Sequence, residues 1–298
     1  MTHQPLQFSD AQIAQFQTQG FLVIEKFLDL EVVDRIDARL DPLFATQLET
    51  GNYPDEWHGR PNLSQPNATR QMSGLWRCDC TIASLSLSAE IARLNATLGG
   101  WTGGRLATDS CWIKPPGAPE VLFHRNNTSV SCIDPATVIT CWISLGSAAA
   151  GALEYVPRSH LWFCSDRFQF LHAPLGDYRQ PLWDGAIEAG LEPSQVQDQI
   201  QTADIPTGGC IFMHGDLWHG SGRNITDETR RSFSVSTMSA SSQFQPLGVG
   251  QGYIYGRYRS IGDLTIDESF FPILWTQEGY CSPMVRAYCR DILRASVV

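Results

Sequence analysis

His124 and His219 are the residues of this chain best suited to chemistry. The first follows the apolar run "EVLF" and the second comes shortly after "GCIF", both with strand character. Imidazoles on strand ends about 95 residues apart can meet inside a barrel mouth, where neutral rings suit iron. Taken singly, a histidine of this kind is more often an ordinary hydrogen-bonded residue of a core or surface than a metal ligand. Arg230 stands eleven residues beyond His219, in "HGSGRNITDETRRSF". On the strand that follows, its guanidinium can enter the same cavity and grip a carboxylate through two parallel charge-assisted bonds. Arg231, by strand alternation, should face the other way. Two residues beyond His124, where a carboxylate would complete an iron-binding pair, stands Asn126.

The elements that must position these residues are partly visible. Ser9 and Asp10 open a helix that Gly20 stops, and "FLVIEKF" at 21–27 reads as a strand. Asp29 can cap a second helix, whose Leu30, Val33, Ile36, Leu40 and Phe44 recur at steps of three and four. Residues 50–80 are rich in Gly, Pro and Asn and read as a long loop with aromatic anchors, either a lid over a cavity or ordinary surface packing. Ser88 opens a further helix that ends at Gly99 and Gly100. From about 105 to 240 short β-branched and aromatic runs such as "RLATDSCWIK", "TVITCWISL" and "RSFSVSTMS" predict an all-β core. In "TVITCWISL", Val138, Thr140, Trp142 and Ser144 share one face and Ile139, Cys141, Ile143 and Leu145 the other. Residues 163–205 interrupt the strands as a polar, partly helical insertion, and "GQGYIYGRYRS" at 250–260 is a second candidate lid.

Composition narrows the partner. A chain of 298 residues with net charge -10 and only 21 Lys and Arg is a poor match for nucleic acid or an anionic membrane, so a small molecule is expected. There is no apolar run near the roughly 20 residues of a membrane span, and the N-terminus lacks the pattern of a signal peptide, so a cytoplasmic protein is expected. Nine irregularly spaced cysteines predict reduced thiols. Cys78 and Cys80 form a CxC with no second pair at zinc spacing, and no metal is assigned there.

The ordered motifs "FQTQGFLVIEKFLD", "YPDEW", "WIKPPG", "FHRN", "TCWISL", "GALEYVPRSH" and "HGSGRNITDETRR" resemble the phytanoyl-CoA dioxygenase family of iron(II)- and 2-oxoglutarate-dependent oxygenases. The resemblance covers most of the chain and implies a mainly β protein with flanking helices around a double-stranded β-helix, the jelly-roll or cupin-like core. Residues 1–298 would be a single oxygenase domain: a helical part and lid to about 104, the core at 105–240 and a C-terminal extension at 241–298. It further implies that His124 and His219 bind Fe(II), that Arg230 anchors the far carboxylate of 2-oxoglutarate, and that Trp142 and Ser221 line that co-substrate. Read without the family, Trp142 is a core aromatic and Ser221 a turn residue. The implied reaction uses dioxygen to hydroxylate a substrate carbon, with no catalytic residue beyond the metal centre.

Asn126 departs from the family pattern, which has Asp or Glu there. An asparagine oxygen can reach a metal but is neutral. A unit charge pair at 4 Å is worth roughly 4 kcal/mol at an effective dielectric of about 20, so losing the anion should weaken iron binding. Three readings stay open: an engineered change, a native and weaker site that still works, or a catalytically silent relative that binds a ligand or partner. Tyr53, Trp57, Asn127 and Ser129 are the candidate substrate contacts, and the substrate expected is a free metabolite or natural-product intermediate, because no Lys and Arg cluster suits a coenzyme A phosphate.

Overall fold

The structure is a computed structural model that describes residues 6–60, 62–146, 151–165, 176–246, 254–260 and 262–288. The N-terminal part runs α1 (Asp10–Gln19), β1 (Phe21–Ile24), α2 (Leu30–Phe44), β2 (Glu56–His58), β3 (Arg70–Ser73), α3 (Cys80–Ser86) and α4 (Ala89–Gly99). The central part holds β4 (Gly103–Lys114), β5 (Val121–His124), β6 (Ile133–Asp134), β7 (Ile139–Ser144), β8 (Leu153–Tyr155), α5 (Gln180–Glu188), α6 (Pro193–Gln197) and β9 (Gln201–Thr202). Then come β10 (Cys210–His214), β11 (His219–Ser221), β12 (Arg230–Ser239), β13 (Gln243–Phe244), β14 (Ile273–Thr276) and α7 (Pro283–Ala287).

Local chemistry sets the helix ends. Ser9 forms a capping box with Gln12, and Gly20 closes α1 at φ 83°, a left-handed conformation that costs glycine little. Ser88 accepts from the Ile91 N–H and Gly100 ends α4 in the same way. Asp29 takes the N-cap position of α2 without a side-chain bond, whereas Asp79 caps α3, a helix the sequence reading did not foresee.

Two antiparallel sheets carry the fold. The eight-stranded sheet has the order β1-β10-β7-β12-β4-β3-β2 with β14 also on β4, and the four-stranded sheet has the order β5-β11-β8-β9. Both line one cavity between them, the arrangement of a jelly roll whose sheets do not close. The outer face of the large sheet is apolar. Phe233, Val235, Cys111, Ile113, Cys141 and Ile143 are buried there against the stripes of α2 and α4. Leu30 alone of the expected α2 stripe is exposed, at 61%.

The segment 50–80 is not a plain loop. Its polar pieces "EWH" and "RQMS" are β2 and β3, and they extend the large sheet beyond β4. They were hidden because each buries apolar groups on one face only. Strands β1, β2, β3 and β14 lie outside 105–240, so the sheet draws on the N-terminal and C-terminal parts of the chain. Of the second candidate lid, residues 250–253 lie outside the described residues, and 254–258 form a 3-10 turn. Seven described cysteines are free, but Cys80 is disulfide-bonded, against the expectation of reduced thiols throughout. Such pairing follows tertiary proximity, which spacing along the chain does not reveal.

Candidate active site

Antiparallel pairing of β5 with β11 puts His124 directly opposite His219, with ring centroids 4.2 Å apart. The same local device orients both. His124 Nδ1 lies 2.8 Å from the Leu122 carbonyl oxygen, and His219 Nδ1 lies 2.8 Å from that of Leu217. A carbonyl can only accept, so Nδ1 carries the proton on each ring and Nε2 is left with a bare lone pair. Burial lowers the pKa of both, that of His219 to about 3 with the neighbouring His124 adding to the effect. Two neutral rings can therefore sit side by side without repulsion, in the form that binds a metal.

Asn126 lines the same cavity from a 3-10 turn that begins where β5 ends. Its amide nitrogen donates to Thr140 Oγ1 at 3.0 Å, and that hydroxyl is 2.8 Å from Ser236 Oγ. In this orientation the side-chain oxygen is the amide atom left to bind a cation. Among the described residues no cluster of three His, Cys, Asp or Glu suited to a metal occurs.

Arg230 opens β12 with its side chain in the cavity and only 4% exposed. One terminal nitrogen donates to the Gly151 carbonyl, the guanidinium carbon lies 5.9 Å from the Trp142 ring, and Nε has no hydrogen-bond partner. Burial lowers its pKa to about 10, which still leaves it charged at neutral pH. A buried cation with an unanswered N–H is suited to an anion. Arg231 points away and pairs with Asp37 and Asp41 of α2, as strand alternation requires.

Lys114 is a member of this site that the sequence reading missed, since lysine is ordinarily a surface residue. It is fully buried opposite Arg230 in the β4–β12 register and donates to Ser221 Oγ at 2.9 Å and to the Gly222 carbonyl. Burial first, and then the Arg230 charge, bring its pKa down to about 7. With Lys114 supplying a donor to Ser221 Oγ, the Ser221 proton is free to point into the cavity.

The candidate substrate contacts fare unevenly. Ser129 lines the cavity, with its hydroxyl donating to the Asn126 carbonyl at 2.6 Å. Tyr53 does not line it and is 71% exposed. Trp57 lies on the outer face of β2, packed on the main core, and its strand neighbours Glu56 and His58 face the cavity instead. A segment taken as loop has no alternation to consult, and period two decides the matter. Asn127 turns away from the cavity: it donates to Asp216 Oδ2 at 2.7 Å and accepts from the Val138 N–H at 2.9 Å.

The profile of the phytanoyl-CoA dioxygenase (PhyH) family matches residues 16–232. The chain belongs to this family. The phytanoyl-CoA dioxygenase of Arabidopsis thaliana is 25% identical over 262 residues, covering 76% of this chain and 87% of that protein. A phytanoyl-CoA dioxygenase domain-containing protein 1 homolog of Caenorhabditis elegans is 24% identical over 170 residues, and the match spans 55% of this chain and 57% of that one. Among solved structures, the epimerase SnoN in complex with Fe3+, α-ketoglutarate and nogalamycin RO superposes with TM-score 0.68 at 20% identity, over 89% of this chain and 98% of SnoN. At that identity the likeness establishes the family's iron and 2-oxoglutarate oxygenase fold, mostly antiparallel with a jelly-roll core. No helix among the described residues is long and apolar enough to cross a membrane.

Proposed function

We propose that this PhyH-family chain is an Fe(II)- and 2-oxoglutarate-dependent oxygenase, a single unit over residues 1–298, that hydroxylates a small metabolite in the cytoplasm with dioxygen. What carries the reading is the convergence on one cavity of two bare imidazole Nε2 atoms and a buried guanidinium with an unanswered N–H. The donor set fits the metal, with His124 and His219 as neutral nitrogen ligands and the Asn126 oxygen as a weaker third. Bound iron would supply the oxidising chemistry, which these side chains lack.

The chain's own residues hold and orient. Arg230 grips the far carboxylate of 2-oxoglutarate while Trp142 packs beside the guanidinium and keeps water from it. Lys114 positions Ser221 so that its hydroxyl donates to the same carboxylate. Thr140, itself bonded to Ser236, accepts from the Asn126 amide nitrogen, which leaves the amide oxygen for a cation. The two carboxylates of the co-substrate would divide between Arg230 and the iron, so with a neutral third ligand the centre is one anion short and should hold iron more weakly than a site with a protein carboxylate.

Anaerobic addition of Fe(II) and 2-oxoglutarate tests this through the visible charge-transfer band of the chelate, read in the wild type and in Asn126→Asp. A band in both supports a working native site, and a band only in the Asp form supports a third ligand that has been engineered away or lost. No band in either, with no iron bound, would favour a ligand-binding relative without catalysis.

A further inference from the structure

Strand register lays side chains in rows across the cavity face of the large sheet. One row runs Glu56, Ser73, Ser110, Ser234 and Trp142 over β2, β3, β4, β12 and β7, and all five line the cavity. Trp142 is beside Arg230, so the row starts at the co-substrate end and leads away from it. With strands about 4.8 Å apart, Ser234 to Glu56 spans roughly 14 Å, the reach of a one- or two-ring molecule.

Hydrogen bonding gives this row a direction. Ser73 Oγ donates to Glu56 Oε2 at 3.3 Å and is 2.9 Å from Ser110 Oγ. A carboxylate only accepts, so the Ser73 proton goes to Glu56, the Ser110 proton goes to Ser73, and the lone pairs of Ser110 are left for a donor arriving from the cavity. Gln71 Nε2 donates to Ser73 Oγ at 3.3 Å, and Thr140 with Ser236 makes a second hydroxyl pair nearer the histidines. In the adjoining row the indole of Trp112 also faces the cavity.

We propose that the substrate is a cyclic polyol, a sugar ring or cyclitol, read by this hydroxyl row with Glu56 as its terminal acceptor; the inference rests on the oxygenase reading above for the role of the cavity. A hydroxyl carries a donor and acceptor sites together, as the wall does, so two such arrays satisfy each other. A carboxylate would bring only acceptors toward Glu56. An alkyl chain would strip the row of water and return no hydrogen bond.

The test uses the anaerobic protein with Fe(II) and 2-oxoglutarate, and as probes myo-inositol, methyl β-D-glucopyranoside, octanoate and butylamine at millimolar concentration. Chelate-band perturbation and thermal shift are both recorded. A polyol should move both readouts while octanoate and butylamine move neither. Ser73→Ala with Ser110→Ala should weaken the polyol response about ten-fold, a loss of ~1.4 kcal/mol, with the parent chelate band serving as the folding control. Silence from both polyols, a response to octanoate or butylamine in their place, or an unchanged polyol response in the double variant overturns the proposal. Absence of the parent band instead overturns the oxygenase reading, and the thermal shift then decides the polyol question alone.

Discussion

The two faces of the eight-stranded sheet are built from the same strands and answer to different demands. Along β12, Phe233 and Val235 face outward into the core beneath α2 and α4, while Arg230, Ser234 and Ser236 line the cavity. Along β4 the alternation is Cys111 and Ile113 against Ser110 and Trp112. The outer face holds the fold through apolar burial. The inner face carries hydroxyls and buried cations, groups that apolar burial does not account for and that suit a polar ligand.

That contrast can be broken most forcefully with one residue from each face. Arg230→Met should raise the 2-oxoglutarate dissociation constant by about 100-fold or more, read from chelate titration, because a buried charge loses its partner. Its neighbour on the other face, Phe233→Ala, should lower unfolding stability by about 3–5 kcal/mol in urea titrations and leave the chelate intact in the folded fraction. If Arg230→Met unfolds the protein or Phe233→Ala abolishes the chelate without loss of stability, the division of labour is wrong.

Smaller changes sharpen the comparison. Asn126→Asp should tighten Fe(II) or Mn(II) binding about ten- to 100-fold by calorimetry, the screened remainder of one added anion. Lys114 gives a pH signature. It is charged below its lowered pKa of about 7, and the charged groups acting on it are Arg230, Glu120, Glu154 and Arg223. Affinity for 2-oxoglutarate should therefore fall as pH rises from 6 to 8, by several-fold, while Lys114→Met binds more weakly at pH 6 and shows a flat profile. Sign also applies to stability. With its folded pKa below the unfolded value, Lys114 makes the wild type more stable as pH rises between about 7 and 10, and the variant should lose that slope. The least effect belongs to Asn127→Ala, which should cost about 1–2 kcal/mol of stability from two lost hydrogen bonds and leave substrate binding unchanged.

Legibility in the sequence followed the same division. The caps at Ser9 and Ser88, the stripe of α2 and the two faces of β7 were readable because apolar periodicity and capping are local signals. Parity puts Arg230 and Arg231 on opposite faces, and the family's motif, not parity, says which of the two enters the cavity. The histidines and Asn126 were legible through the family's motifs, not through spacing. The inner face resisted. Strands β2 ("EWH") and β3 ("RQMS") are three and four residues long and mostly polar, too short to show a period, so the segment reads as loop and its aromatics Tyr53 and Trp57 stand out there instead of Glu56 and His58. Lys114 was hidden for a related reason: nothing local says that a lysine will be buried against Ser221.

The cross-strand pairing of His124 with His219 has a mechanical corollary. β5 and β11 are short and belong to the smaller sheet, and a cation shared by the two rings would act as a rivet between them. Loading with metal would then slow amide hydrogen exchange in both strands, so that occupancy of the centre is felt as stiffness in the wall that carries it.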